Sequence, residues 1–209
     1  MATRAKVEAA ARELARRDPV LKRMLRDHGV PELHRRGPRR PHFAELARMI
    51  CYQQLAGRAA AAIHGRFEAL FDGSPTAEAV LALPFETLRG VGLSNAKAMS
   101  IRDLATKVEE GQVELDRVAR LSDDKVVSEL VLVRGIGEWT AHMFLMFQLG
   151  RLDIWPVLDF GVRSGFAHMY GLAEMPTPKP LVALGDPFRP YRSLVAWWCW
   201  RAADTVTPD

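Results

Sequence analysis

The chain has 209 residues, enough for one globular domain or for two lobes around one cleft. An apolar content of 48% favours a folded protein over a disordered chain, and no apolar run is long enough to cross a bilayer. The net charge of +4 favours a polyanionic partner, and Arg35, Arg36, Arg39 and Arg40 form either such a contact or a solvated basic loop. We therefore expect a soluble cytoplasmic protein without a membrane contact.

The two cysteines, Cys51 and Cys199, lie within apolar helical segments, so we expect both to be reduced and buried. Their number excludes a four-cysteine iron–sulfur cluster. No spacing of cysteine and histidine residues is typical of a zinc site. We expect no cofactor.

Helical periodicity runs through nearly every segment, and no segment alternates over the length of a strand. Ser122 is placed to cap a helix that begins at Asp123, and Gly150 and Gly171 are placed to end two others. The sequence therefore predicts an all-α protein. The predicted helices cover residues 4–17, 19–28, 42–54, 57–71, 76–82, 84–89, 94–110, 123–132, 138–149, 160–170, 178–184 and 192–203.

Two predicted helix–helix turns carry a glycine, a hydrophobic residue and a second glycine. The first lies in Arg89-Gly-Val-Gly-Leu-Ser-Asn-Ala96 and the second in Arg134-Gly-Ile-Gly-Glu-Trp-Thr-Ala141. Such a turn directs N–H groups outward, so that a phosphate can bind at the N-terminus of the next helix. The second turn therefore predicts that the protein binds the DNA backbone without sequence preference. The first is either a second hairpin of this kind, with Lys97 near a phosphate, or a turn without a ligand.

One acidic residue follows the second turn at the start of another predicted helix. Asp159 ends the stretch Asp153-Ile-Trp-Pro-Val-Leu-Asp159 and precedes a helix that begins at Phe160. An aspartate in this position is commonly an N-cap, whose side chain accepts N–H groups of the first helical turn. Because a DNA-binding hairpin lies upstream, Asp159 is also a candidate for chemistry on DNA.

Three segments carry a family resemblance when they are taken together and in order. They are Phe43-Ala-Glu-Leu-Ala-Arg-Met-Ile-Cys-Tyr-Gln-Gln54, the second hairpin followed by Trp155-Pro-Val-Leu-Asp159, and residues 190–201. They resemble the helix-hairpin-helix (HhH-GPD) superfamily of DNA glycosylases, in particular its 3-methyladenine DNA glycosylase II type. The resemblance covers residues 42–203 and implies two helical lobes around a cleft. Nothing in the sequence demands more than a monomer. Residues 1–41 are then a helical extension that packs on the closing helix, with or without a contact to DNA, and residues 204–209 are a tail.

The chain departs from the family pattern at three places. Arg134 stands where a proline usually precedes the first hairpin glycine, and this arginine adds a candidate phosphate contact. Ala56 stands where the family's Gln-Gln loop usually has a serine. Leu158 precedes Asp159 where many members have a second acid, which leaves a single catalytic candidate.

The resemblance implies a monofunctional glycosylase of base excision repair. Such an enzyme flips an alkylated base, for example 3-methyladenine or 7-methylguanine, out of double-stranded DNA and hydrolyses its N-glycosidic bond, leaving an abasic site. Asp159 would stabilise the oxocarbenium-like transition state. Relatives that also cleave the strand carry a Schiff-base lysine at the position of Trp139, so no lyase step is expected. The alternatives are the same fold acting on another damaged base, or a non-catalytic DNA-binding module.

The resemblance also implies how the damaged base is held. Trp139 and Trp200 would attract an electron-poor alkylated purine by stacking, whereas Trp197 and Trp198 are expected in the core. Gln54 would fill the gap in the duplex, with Leu55 as the alternative wedge. The expected site residues are Asp159 for catalysis; Trp139, Trp200, Met143 and Gln53 for the base pocket; Gln54 and Leu55 for the DNA wedge; Arg134, Gly135, Gly137 and Thr140 for DNA phosphates; and the carbonyls of Val131, Val133 and Ile136 for a monovalent cation.

Overall fold

α-Helices form the framework of the protein in the computed structural model, which describes residues 3–33 and 40–204. Within these two ranges there are twelve α-helices and no strand, which confirms the all-α prediction. The basic residues Arg35, Arg36 and Arg39 lie outside the described residues, as does the tail from residue 205. The helices are α1 Arg4–Arg17, α2 Pro19–His28, α3 His42–Tyr52, α4 Gly57–Glu68, α5 Ala77–Ala82, α6 Phe85–Gly90, α7 Asn95–Glu109, α8 Asp123–Leu130, α9 Glu138–Met143, α10 Phe160–Tyr170, α11 Pro178–Leu184 and α12 Arg192–Asp204.

Capping residues set the predicted boundaries of several helices. Ser122 accepts the N–H of Lys125 at 3.3 Å at the start of α8. Gly171 ends α10 in the left-handed conformation, with φ of 63°. None of the helices in the described part of the chain is both long and apolar enough to cross a membrane.

Several predicted helices are shorter in the structure than the sequence suggests, and α3 and α9 are the two that bear on the site. α3 ends at Tyr52, because the backbone of Gln53 leaves the helical region with φ of −54° and ψ of 132°. Gln53 and Gln54 therefore belong to the turn that follows α3. α9 ends at Met143 and continues directly into a π-helical segment, Phe144–Gln148.

The first of two compact units combines the two ends of the chain, residues 1–37 and 145–209. Its centre is the contact between α10 and α12. A Cβ atom on Gly165 of α10 would lie 1.8 Å from the backbone oxygen of Cys199 on α12. Only glycine at this position therefore allows the two helix backbones to approach so closely.

Helices α1 and α2 belong to this same unit. α2 contacts α12, and the indole N–H of Trp198 donates to the backbone oxygen of Gly29 at 3.1 Å. Tyr170 at the end of α10 donates its hydroxyl to Asp18, the N-cap of α2, at 2.9 Å. The division of the sequence at residues 41 and 204 rests on resemblance and stays a prediction.

The second compact unit is one continuous segment, residues 38–144. α7 contacts α3, α5 and α6 within it. The buried side chains of Ile101 and Leu104 on α7 form part of the core of this unit. α7 is thus the helix against which α3, α5 and α6 are packed.

Both cysteines are free and buried, as expected from the sequence. Burial raises the pKa of the Cys51 thiol to about 12 and raises that of Cys199 as well. Neither thiol is therefore a thiolate at neutral pH, so neither is a candidate nucleophile. Trp197 and Trp198 are buried too, which confirms their predicted place in the core.

Candidate functional site

The turn between α8 and α9 is the predicted phosphate-binding hairpin. Gly135 adopts φ of 76°, which glycine tolerates best, and the side chain of Ile136 is buried beneath the turn. Gly137 is the N-cap of α9 and has no side chain with which to cap it. A Cβ atom on Gly137 would meet no other atom within 4 Å. No side chain therefore caps the start of α9 and competes there with an anion.

The carbonyls predicted to hold a cation lie on the same turn. The carbonyl of Val133 accepts the N–H of Ile136 at 3.0 Å, which closes the turn. Val133 and Ile136 are buried, whereas Val131 is exposed. No cluster of three or more histidine, cysteine or acidic side chains suited to a metal ion occurs within residues 3–33 and 40–204. The cation at the hairpin carbonyls stays a prediction.

A pocket of about 510 Å³ opens beside the hairpin in the second unit. Trp139, with 48% of its surface exposed, forms part of its wall. The amide N–H of Gln53 donates to the carbonyl of Gly135 at 2.9 Å, so Gln53 both lines the pocket and holds the hairpin. The pocket is lined by Arg48, Met49, Tyr52, Gln53, Gln54, Gly135, Trp139 and Thr140.

Three of these lining residues were not expected from the sequence. Arg48, Met49 and Tyr52 belong to α3, and the guanidinium of Arg48 lies 5.0 Å from the centre of the Tyr52 ring. Arg48 also forms an ion pair of 2.6 Å with Glu45, and this hydrogen bond raises the pKa of Arg48. Their positions one, four and five residues before Gln53 place them on the same helical face, which is the signal that could have found them.

Two other predicted residues on α9 are buried. Thr140 is 6% exposed and lines the pocket, so that only a small part of its side chain is accessible. Met143 is also 6% exposed and is not among the lining residues. The expected pocket residue Met143 thus lies in the interior of the second unit.

The predicted wedge residues form the turn after α3. Gln54 is exposed and has φ of 54°, the single non-glycine residue with positive φ in the described part of the chain. Such a conformation is strained for a residue with a side chain and is often found at functional sites. Leu55 beside it is 39% exposed. Both side chains are therefore accessible to a ligand.

The carboxylate of Asp159 lies in the first unit at the N-terminus of α10. One of its oxygens, Oδ1, accepts the N–H of Val162 at 2.8 Å and the indole N–H of Trp200 at 2.9 Å. The aspartate is half-buried. It is thus an N-cap and, in addition, part of a side-chain pair with a tryptophan that is 41 residues away in the sequence.

Two residues that the sequence did not single out shape this pair. Phe147 stacks on Trp200, with ring centres 6.0 Å apart and planes at 29°. A Cβ atom on Gly161 would lie 2.8 Å from Cδ1 of Trp200 and 3.2 Å from Oδ1 of Asp159. Glycine at position 161 therefore leaves the space in which the indole reaches the carboxylate.

The first glycine turn, between α6 and α7, also forms a hairpin in the structure. Gly92 has φ of 96° and Ser94 is the N-cap of α7, so Gly92 corresponds to Gly135 and Ser94 to Gly137. The sequence comparison aligned Gly92 with Gly137. That alignment is wrong by two residues. The ammonium group of Lys97, which one of the two alternatives placed near a phosphate, donates to the carbonyl of Cys51 at 2.8 Å.

Comparison with known proteins finds one matching family and close relatives. The model of the HhH-GPD superfamily base excision DNA repair proteins matches residues 47–189. The DNA-3-methyladenine glycosylase 1 of Schizosaccharomyces pombe is 30% identical over 189 residues, which cover 89% of this chain and 83% of that protein.

Two solved structures have the same fold at similar identity. The DNA-3-methyladenine glycosidase of Bacillus halodurans is 33% identical, with a TM-score of 0.81, over 94% of this chain and 89% of that one. The 3-methyladenine DNA glycosylase of Schizosaccharomyces pombe in complex with abasic DNA is 30% identical, with a TM-score of 0.77, over 92% of this chain and 95% of that one.

Proposed function

This chain belongs to the HhH-GPD superfamily of base excision DNA repair proteins, and we propose that it is a DNA glycosylase that releases alkylated bases from double-stranded DNA. It is then an enzyme of the 3-methyladenine DNA glycosylase II type. It hydrolyses the N-glycosidic bond and leaves an abasic site. It acts on cellular DNA as a monomer.

The position of Asp159 is the observation that carries this proposal. Two N–H donors, from the backbone of Val162 and the side chain of Trp200, fix the orientation of its carboxylate. When the bond between C1′ and the base breaks, its electron pair leaves with the base and positive charge develops on the sugar. A fixed carboxylate beside that sugar stabilises the charge, and it orients the water that adds to C1′.

The aromatic side chains support an alkylated purine as the substrate. Such bases are electron-poor and often cationic, so an indole attracts them by about 0.5–2 kcal/mol. Trp139 in one unit and Trp200 in the other each present an indole that is not fully buried. Relatives that are 30% and 33% identical to this chain are named as 3-methyladenine glycosylases, which favours the same class of lesion.

The residue at position 139 supports hydrolysis without strand cleavage. A lyase of this family forms a Schiff base with a lysine, whereas an indole nitrogen is not a nucleophile for the sugar. Trp139 stands at that position in the first turn of α9. We therefore expect base release alone.

The turn after α3 and the hairpin support binding of a duplex from which the base is flipped. Gln54, with Leu55 beside it, is exposed on a strained turn and would fill the space that the base leaves. The N-terminus of α9, which has no side-chain cap, would bind a phosphate together with the side chain of Arg134. These contacts do not read the sequence of the DNA.

Base release from a methylated duplex tests the proposal. We expect Asp159→Asn to reduce release of 3-methyladenine on the order of 10²–10³-fold, while binding to abasic DNA persists. Asparagine can still accept the N–H of Val162, so the cap on α10 is retained. Asp18→Asn is the matched control, because Asp18 caps α2 in the same unit through Val20 at 2.7 Å. This control should release bases like the wild type.

Each other outcome points to a different error. Strand cleavage without added base or heat would refute the hydrolysis-only mechanism argued from Trp139. Release of deaminated or oxidised bases from a substrate panel, without release of methylated ones, would change the lesion class. DNA binding with no release of any base would mean that the protein is a binding module.

A further inference from the structure

One face of α7 contacts both segments that we propose to bind DNA. Lys97, Ser100 and Asp103 lie three residues apart along α7, so their side chains project from the same side of the helix. Neither Ser100 nor Asp103 belongs to a motif that the sequence analysis singled out. We call these three residues the α7 face.

Asp103 holds the hairpin by its backbone. Its Oδ2 accepts the N–H of Arg134 at 2.7 Å, directly before the hairpin glycines. Its Oδ1 accepts the ammonium of Lys107 at 2.6 Å. A hydrogen bond from an N–H to a carboxylate is about twice as strong as one between neutral groups. The start of the turn is thus fixed to α7 while the side chain of Arg134 stays exposed.

Ser100 supports the next residue of the turn. A Cβ atom on Gly135 would lie 2.6 Å from Oγ of Ser100, so the turn packs against α7 without space for a side chain. Ser100 in turn donates its hydroxyl to the carbonyl of Ala96 at 2.9 Å, which fixes the position of Oγ.

Lys97 holds the segment that leads to the wedge. Its ammonium donates to the carbonyl of Cys51 at 2.8 Å, in the last turn of α3. Gln53 follows two residues later and donates to the carbonyl of Gly135 at 2.9 Å. Three contacts therefore close a ring, from α7 to α3, from α3 to the hairpin, and from the hairpin back to α7.

We propose that the α7 face is a positioning element that sets the distance between the wedge turn and the phosphate-binding hairpin. It rests on the proposed function, in which the hairpin binds a phosphate while Gln54 enters the duplex. Because DNA has a fixed spacing between phosphate and base stack, the two protein segments must be held at one spacing before binding. Lys97, Ser100 and Asp103 do not touch the DNA themselves but act through Gln53, Gly135 and Arg134.

Binding to an abasic duplex tests this role without requiring base release. We expect Asp103→Ala to weaken binding about tenfold, the effect of one charge-assisted hydrogen bond. Asp103→Asn should bind within about threefold of the wild type, because its amide oxygen still accepts the N–H of Arg134. Lys107→Met is the matched control, since Lys107 contacts the same carboxylate but not the hairpin, and it should bind like the wild type.

A double-mutant cycle separates positioning from simple packing. Lys97→Met loosens the α3 end of the ring and Asp103→Ala loosens the hairpin end. If the ring acts as one unit, either change alone removes most of the DNA affinity that the ring contributes. The double variant then binds abasic DNA about as weakly as the single variant with the lower affinity. Additive losses would overturn the proposal, as would wild-type binding by Asp103→Ala. Unfolding in urea is measured for every variant. If Asp103→Ala is not folded, the test rests on Lys97→Met alone, and wild-type binding by this variant overturns the proposal.

Binding to abasic DNA is measured separately from base release, so a failure of this proposal can be told apart from a failure of the proposed function. A wild-type protein that binds abasic DNA but releases no base would contradict the glycosylase and leave the cycle interpretable. A glycosylase with additive effects in the cycle would contradict the positioning role alone.

Discussion

The two glycine hairpins of the second unit have the same backbone plan but different surroundings. In each, a glycine with positive φ is followed by a buried hydrophobic residue and then by the N-cap of the next helix. Leu93 and Ile136 are the two buried residues. The sequence after each turn then diverges, with Ser94 as one N-cap and Gly137 as the other.

The N-caps give the two hairpins different properties. Ser94 accepts the N–H of Lys97 at 3.3 Å, so the start of α7 is capped from within the protein. Gly137 leaves the start of α9 without a side-chain cap. Around the first turn, Arg66 and Arg89 donate to the backbone oxygens of Val91 and Leu93.

The difference shows that a hairpin backbone alone does not make a phosphate site. A helix N-terminus can bind an anion only where its N–H groups are not already bonded to the protein. The helix after the first hairpin is capped by the side chain of Ser94, whereas the helix after the second has no side-chain cap and begins beside a pocket. Four pairs of changes test whether this contrast holds.

Alanine at the positive-φ glycines should have the largest effects. Gly135→Ala and Gly92→Ala should each lower the free energy of unfolding by about 1–2 kcal/mol, because a side chain disfavours this backbone conformation. Gly135→Ala should cost more, since its Cβ would overlap Ser100 on the facing helix, whereas the atom nearest Gly92, at 2.9 Å, is the end of the long Arg66 side chain. Urea unfolding measures the stability, and binding to abasic DNA should fall only for Gly135→Ala. Equal losses of binding would contradict the contrast between the hairpins.

Exchange of the N-caps should separate stability from DNA binding. Ser94→Ala removes the cap on α7 and should cost about 1 kcal/mol of unfolding free energy, with DNA affinity unchanged. Gly137→Ser adds a cap to α9 and should change stability by only a few tenths of a kcal/mol. The same change should weaken binding to abasic DNA, because the serine oxygen competes with the phosphate for the N–H groups. Unchanged affinity of Gly137→Ser would show that these N–H groups do not contact DNA.

Arginines at the two turns should differ in their salt dependence. Arg134→Ala should reduce the slope of log affinity against log salt by about 1, the loss of one phosphate contact, with little change in stability. Arg89→Ala should instead lower the free energy of unfolding by about 0.5–1.5 kcal/mol and leave the slope unchanged, since Arg89 bonds the carbonyl of Leu93. Fluorescence titrations between low and physiological salt give both slopes. An effect on the slope from Arg89→Ala would mean that the first turn also contacts DNA.

Acidification should weaken the contact between the Asp103 carboxylate and the second hairpin. We expect its effect on the free energy of unfolding to be the smallest of the four. Burial raises the pKa of Asp103, but hydrogen bonds from Lys107 and the N–H of Arg134 outweigh it, so the pKa lies below its ordinary value of 3.8. A lowered carboxylate pKa contributes stability that is present above pH 3.8 and is lost as the pH falls through the folded-state pKa. The stability difference between wild type and Asp103→Asn should therefore be constant near neutral pH and disappear in acid.

The pH test has a built-in comparison at the other hairpin. The difference between wild type and Arg89→Ala should not vary over the same range, because no carboxylate anchors the contacts described for that turn. A difference for Asp103→Asn that persists below the folded-state pKa would contradict the role of the carboxylate charge.

The sequence predicted all twelve helices found in the described residues, because period and capping act over a few residues. It also predicted both hairpin turns from their glycines. It did not predict which glycine of Gly90 and Gly92 takes the positive φ. Both positions fit the pattern, and the choice depends on where Leu93 is buried.

The family resemblance proposed Asp159 and Trp200 as separate site residues. The structure adds the hydrogen bond between them, which requires Gly165 for the approach of α10 to α12 and Gly161 for the space beside the indole. The glycines are visible in the sequence, but their partners on α12 are not. Contacts between residues this far apart in the chain depend on the packing of helices, which no local pattern encodes.

The sequence by itself determined the all-α class, the hairpin and its phosphate-binding candidates, since each depends on local backbone preference and on residue type. Only the tertiary structure decided that Gln53 bonds the hairpin, that Lys97 faces α3 rather than a phosphate, and that Asp103 anchors Arg134. The physical reason is that a polar side chain takes whichever partner the packed helices bring within about 3 Å, and that partner is set by the fold rather than by its neighbours in the chain.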